Sequence, residues 1–190
     1  DSKVDALARS LAADQRDLAE LANNASLQLY LWQLVRARQQ PTTDDAQTES
    51  AQQAYLRNLL LAAAERGGYM PDPATRVPAN LPRSLSYGMA LLDAELRPVV
   101  VTPGIGELAD SYGEVMRGAL AKPGATLVDL RLDAEDRAVV VIAVAVAAVS
   151  RSFTGCGAPN GALVGVRSAE KERYPLTTLA PAFDQDSKTL

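Results

Sequence analysis

The hydrophobic period of this chain changes from helical to alternating beyond Pro82, with one helical stretch returning among the alternating ones, and that switch limits the possible folds more than any other feature. Before it, Val4, Leu11, Leu18, Ala25 and Trp32 recur seven apart, with Leu7, Asp14, Leu21, Gln28 and Val35 each three further along. Apolar residues at that spacing form a seam along one side of an α-helix. Asp14 and Gln28 interrupt it. A continuous helix of about 35 residues would extend roughly 50 Å, longer than a small domain is wide, so part of it must find a helical or sheet partner. From Ala22 onward the expectation is an amphipathic helix lying on a sheet. Before Ala22 it is pairing of Leu7, Leu11, Leu18 and Leu21 with the same helix of a second subunit.

Pro41 to Asp45 is a turn-rich break, and Thr48 to Arg66 resumes helical spacing through Ala51, Ala54, Tyr55, Leu59 and Ala62. Gly67 and Gly68 are expected to stop that helix. The proline-rich stretch from Tyr69 to Pro82 reads as an irregular functional loop. Beyond it, Met89 to Asp93 and Pro98 to Thr102 predict a hairpin around Ala94 to Arg97. Glu107 to Lys122 has a helical face made of Leu108, Tyr112, Val115, Met116 and Ala119. Thr126 to Leu132 alternates, Ala138 to Val149 reads as a buried valine-rich strand, and Gly161 to Val166 supplies one more. Five strands with helices ahead of and between them predict an α+β fold in which a long N-terminal helix packs on a five-stranded antiparallel sheet. The division expected is a helical region over 1–66, a sheet module over 67–168 and a linker, or the start of a second module, over 169–190.

Charge and residue usage narrow the chemistry. At 190 residues the chain can hold one well-buried domain with an accessory element, and a net charge of −4 without a Lys/Arg-rich run argues against a nucleic-acid partner. There is no histidine and one cysteine, Cys156. That removes the usual general base, the usual haem ligand and any intrachain disulfide or thiolate cluster, so no metal or other cofactor is expected. The longest apolar run, Ala138 to Val149, is too short for a membrane helix, which needs about 20 residues. The chain opens at Asp1 in helical pattern and reads as a piece of a longer protein.

Asp93, Asp133 and Asp136 fall at predicted hairpin turns, where aspartate caps backbone amides, and look solvated. Gly104-Ile105-Gly106 resembles half of a phosphate loop but lacks the third glycine and the lysine. Ser150, Ser152, Thr154 and Cys156 alternate after the long strand, with no histidine to activate any of them as a nucleophile. Asp129 and Arg131 share one face of their strand, opposite Val128, Leu130 and Leu132. They form either an exposed pair on a solvated face or, at the wall of a cleft, a grip for the ammonium and carboxylate of a zwitterion. Tyr69, Tyr87 and Tyr112 serve equally well as core packing or ligand contacts.

Taken in order and spacing, the stretches "LANNASLQLYLWQL", "AQQAYLRNLLLAAAERGGY", "GMALLDAELRPVVVTPG", "LVDLRLDAEDRAVVVIAVAV" and "GALVGVRS" resemble a Cache domain, a PAS-like extracytoplasmic sensor module of bacterial receptors. The tail "ERYPLTTLAPAF" is similar to the connection between the two modules of double-Cache sensors. The resemblance implies a five-stranded antiparallel sheet, a long membrane-proximal helix on one face and a ligand cleft on the other. It also implies a parent receptor anchored in the inner membrane, a histidine kinase, chemoreceptor or diguanylate cyclase, with this module on the periplasmic or extracellular side. The chain departs from the family in carrying Leu96 where glycine normally fills the hairpin turn, and in lacking the aromatic and arginine signature of amino-acid binders between Tyr112 and Asp129.

These readings converge on a non-enzymatic sensor that binds a small amino acid, organic acid or amine and transmits through its long helix. A homodimer through the N-terminal helix is the expected assembly. The expected ligand contacts are Tyr69, Tyr87, Tyr112, Asp129, Arg131 and Thr154, on one face of the sheet. The alternative is a ligand-free module for dimerisation or for docking a periplasmic partner protein.

Overall fold

A computed structural model of the chain describes residues 2–39, 45–70, 87–105, 112–132, 137–149 and 158–169. The N-terminal helix is divided. α1 (Ser2–Ala22) and α2 (Ala25–Gln39) meet at Asn23 and Asn24 instead of forming one rod. Asn24 is the reason: its Oδ1 accepts from the Leu27 amide at 3.1 Å and its carbonyl from the Gln28 amide at 3.0 Å, which starts a new helix. The Gln28 side chain donates back to the Ala22 carbonyl at 3.1 Å, so one polar interruption of the seam braces the bend.

α3 (Asp45–Gly67) ends where the glycine pair predicts. Gly68 adopts a left-handed φ of 71°, the Gly68 amide donates to Glu65, and the Tyr69 amide reaches the Ala64 carbonyl at 2.8 Å. This 6→1 and 5→2 pairing is a Schellman stop, which an L side chain at Gly68 would strain. α2 and α3 are joined by an edge-to-face Tyr30–Tyr55 pair at 4.9 Å and by Gln52 donating to Gln33 at 2.7 Å.

The alternating half forms β1 (Gly88–Asp93), β2 (Pro98–Val101), β3 (Thr126–Leu132), β4 (Ala138–Val146) and β5 (Gly161–Ser168), with α4 (Gly113–Ala121) between β2 and β3. All five strands pair antiparallel in the order β2-β1-β5-β4-β3. The fold is α+β, as the change of period predicts. β4 stops at Val146 and not Val149 because its partner β5 begins at Gly161, opposite Val146. The predicted helix start at Glu107 and the turn residues Asp133 and Asp136 lie outside the described residues.

Asp93 is fully buried, contrary to the solvated role expected of it. Its Oδ1 accepts from the Glu95 and Arg97 amides at 3.0 and 2.8 Å, and its Oδ2 takes Arg97 Nε at 2.8 Å. That carboxylate holds the β1–β2 turn in a shape where Leu96 has φ 62°, the place usually filled by glycine.

Alternation gives the sheet two cores. On one face Met89, Leu91, Val140, Ile142, Val144 and Leu163 meet Leu18, Leu27, Leu31, Leu34, Leu56 and Leu60 from the three N-terminal helices. On the other, Ala90, Leu92, Val139, Val141, Val164 and Val166 meet Val115, Met116 and Ala119 of α4. α1 and α3, more than α2, lie directly on the sheet; α2 packs chiefly on α3 and reaches the β1–β2 hairpin through Arg38, which donates to the Pro98 carbonyl. Leu7, Leu11, Leu18 and Leu21, the residues expected to face a second subunit, pack against the first core, Leu18 fully buried and the other three half-buried. Their own sheet supplies the apolar partner.

Of the two readings of β3, the structure removes the exposed pair on a solvated face. Val128, Leu130 and Leu132 are 36, 55 and 61% exposed, whereas Asp129 and Arg131 are half-buried. As an edge strand, β3 lies at the margin of the helical layer, while α4 packs on its other face.

Candidate functional site

The site begins at the stop of α3. Because Gly68 turns the chain back on itself, Tyr69 is buried against the sheet on the side of the helices. Its ring lies on β5 at Gly165, where an added Cβ would come within 2.6 Å of a ring carbon. The glycine is a seat for the ring. Two residues further along the same face, Arg167 brings its guanidinium 5.3 Å from the Tyr69 ring centre. Arg167 Nη1 donates to the Gly67 carbonyl at 2.9 Å and meets Asp14 Oδ1 of α1 at 3.0 Å. Thus α1, α3 and β5 are stitched by one ion pair whose members are 2% and 4% exposed.

The Tyr69 hydroxyl is buried and makes no hydrogen bond among the described residues. Burial pushes its phenol well above the ordinary tyrosine range, the neighbouring Asp14 carboxylate adds to the rise, and Arg167 opposes it. Tyr69 stays a neutral phenol throughout the physiological range.

Beside this buried group a cleft of about 390 Å³ opens between α1 and α3. Leu18, Leu21, Leu59, Ala63, Tyr69 and Met89 line it with apolar surface, and Asp17, Glu20, Asn24 and Arg66 supply its polar groups. Apolar walls with a few convergent polar groups are the usual form of a small-molecule site. With two carboxylates, one guanidinium and one amide, the lining complements a ligand carrying an amine.

The structure separates the residues that the sequence placed around one cleft. Tyr112, Asp129 and Arg131 do come together, on the α4 face: Arg131 pairs with Asp129 and lies 5.9 Å from the Tyr112 ring centre. Tyr87 packs into the same core, with Arg137 5.5 Å from its ring centre. Tyr69 is on the opposite face, because the α3 stop delivers it to the helical side of β5, so it cannot share a ligand with the other four across the sheet. Thr154 lies outside the described residues. Asp14, Asp17, Glu20, Arg66 and Arg167 were missed as site residues. For Asp14 the signal was present, since a carboxylate in a leucine seam needs a buried partner. For Asp17, Glu20 and Arg66 there was none, because charges on helix exteriors are ordinary.

No protein-family model and no curated protein sequence matches the chain. Among solved structures, it is similar to one described as a Mycobacterium tuberculosis transcriptional regulator, at 14% identity and a TM-score of 0.33. The match covers 85% of this chain and 66% of that one.

Proposed function

We propose that the chain is the sensing module of a bacterial receptor, a binding domain and not an enzyme, which takes up a small amine-bearing molecule in the cleft between α1 and α3. The observation that carries this reading is the cleft itself, with apolar walls, carboxylates at Asp17 and Glu20 and a buried tyrosine hydroxyl beside it. α1 forms one wall, and through Asp14 and Arg167 it is tied to β5. A ligand that binds one spacing of α1 and α3 more tightly than another shifts α1, and only that difference in affinity drives the shift. The extracytoplasmic setting and the parent receptor, a histidine kinase, chemoreceptor or diguanylate cyclase, rest on the resemblance to Cache domains. Among the described residues no helix is long and apolar enough to cross a membrane.

The test is a thermal-shift screen of amines, amino acids, organic acids and purines. A true ligand raises the melting temperature, since binding to the folded state alone adds about 2.7 kcal/mol at a hundredfold excess over Kd. The hit should lose affinity with Asp17→Asn and Glu20→Gln. A screen in which nothing raises the melting temperature, or a hit indifferent to both substitutions, favours the second reading, a dimerisation module without a ligand. The exposed apolar stripe of β3 favours that reading.

A further inference from the structure

The two edges of the sheet are treated differently. β2 is short, starts with Pro98, shows a register shift against β1 and has the Pro98 and Val99 carbonyls taken by Arg38 and Gln53 from the helices. Those are the devices by which an edge strand is kept from pairing with another chain. β3 has none of them. It carries no proline, glycine or lysine, pairs with β4 in unbroken register from Thr126 to Leu132, and nothing among the described residues pairs with its outer side. On the helical face it shows Val128, Leu130 and Leu132, all exposed. On the other it shows one carboxylate and one guanidinium, Asp129 and Arg131, two positions apart.

We infer that the outer edge of β3 pairs antiparallel with β3 of a second copy of this chain, on a two-fold axis through Leu130, extending the sheet across the dimer. Charge complementarity selects this partner and this register. An axis perpendicular to the sheet keeps each face on its own side, so only residues of the same parity can stand opposite one another. Centred on Asp129, the pairing sets that carboxylate against its own copy; centred on Arg131, it sets guanidinium against guanidinium. Like charges directly opposite oppose pairing. Centred on Leu130, Asp129 faces Arg131 of the second copy, twice by symmetry, and Val128 faces Leu132 while Leu130 meets itself. The same register sets an opposite charge across the axis from each member of the Asp129–Arg131 pair and continues the apolar stripe from one copy to the other. The inference needs no ligand and stands apart from the cleft.

The test is sedimentation equilibrium of the whole 190-residue chain without ligand. A dimer is expected. Leu130→Lys, at an exposed position, should give a folded monomer by setting two ammonium groups on the axis. Asp129→Arg leaves two cations on the strand and Arg131→Asp leaves two anions, so each variant alone should be monomeric and an equimolar mixture should form the heterodimer. The double swap Asp129→Arg with Arg131→Asp should dimerise again. A wild-type monomer overturns the inference, and so does a dimer that survives Leu130→Lys or both single charge variants, since such a dimer uses another surface, α1 included.

Discussion

Asp14 interrupts a leucine seam yet is more deeply buried than Leu7, Leu11 or Leu21 around it, because Arg167 meets it at 3.0 Å inside the helix–sheet layer. Two buried opposite charges give little net stability, but either one alone is costly. Asp14→Ala should therefore lower unfolding free energy by about 3–5 kcal/mol in urea titrations, and pairing it with Arg167→Met should recover most of that loss. A double variant as unstable as the single one would show that the contribution is packing and not charge. Tyr69 gives a second measurement at this scale. Its phenol titrates higher in the folded chain than in the unfolded one, so the stability it contributes is complete below an unfolded pKa of about 10. As pH rises above that value the unfolded state loses its proton first and stability falls. Tyr69→Phe should flatten the alkaline decline, followed as melting temperature against pH, and leave the neutral and acid limbs parallel to wild type. The buried pair was only half legible in the sequence. A carboxylate in an apolar seam demands a partner, but which of 19 cationic residues answers it depends on a contact across more than 150 positions, which no local pattern carries.

At the level of elements, period alone located nearly every helix and strand, and the errors share one cause. The strand limit and faces that went astray were decided by a neighbour in space, β4 by where β5 begins and β3 by α4 and the margin of the helical layer, whereas Asp93 caps the amides of its own turn as expected and differs only in being buried. The break after Ala22 is different, since its cause is local. Asn24 is an N-cap residue in the middle of a helical pattern, and the seam on both sides of it hid the stop. Asn24→Ala should cost about 1 kcal/mol, read as a fall in melting temperature, by removing the acceptor of the Leu27 amide. Asn24→Asp or Asn24→Ser should restore most of it, as a cap can use any short side-chain oxygen. Equal losses for all three would show that the capping oxygen of Asn24 is not what stabilises the start of α2.

For the whole molecule, the sheet is the shared element of two cores that never touch. β1, β4 and β5 alternate residues between them, so Leu91 supports the helical layer while Ala90 and Leu92, its neighbours in sequence, support α4. Losing either core frees half the side chains that hold the same strands in register. The helical region over the first 66 residues and the sheet after it are therefore expected to unfold as one unit, although the sequence divides them cleanly by period. Trp32, the single tryptophan, sits half-buried on α2, a helix that packs chiefly on α3. Its fluorescence reports the helical layer, and far-ultraviolet circular dichroism reports helices and sheet together. In urea the two midpoints should coincide, the usual sign of an all-or-none transition. The decisive variant is Met116→Ala, a cavity on the far side of the sheet from Trp32 and worth about 2–5 kcal/mol. It should move the fluorescence midpoint as far as the circular dichroism midpoint, because the strands carry the loss from one face to the other. If the fluorescence midpoint stays where it was in the wild type, the helical layer holds together without the sheet, and α1 could then move in response to a ligand without help from β5.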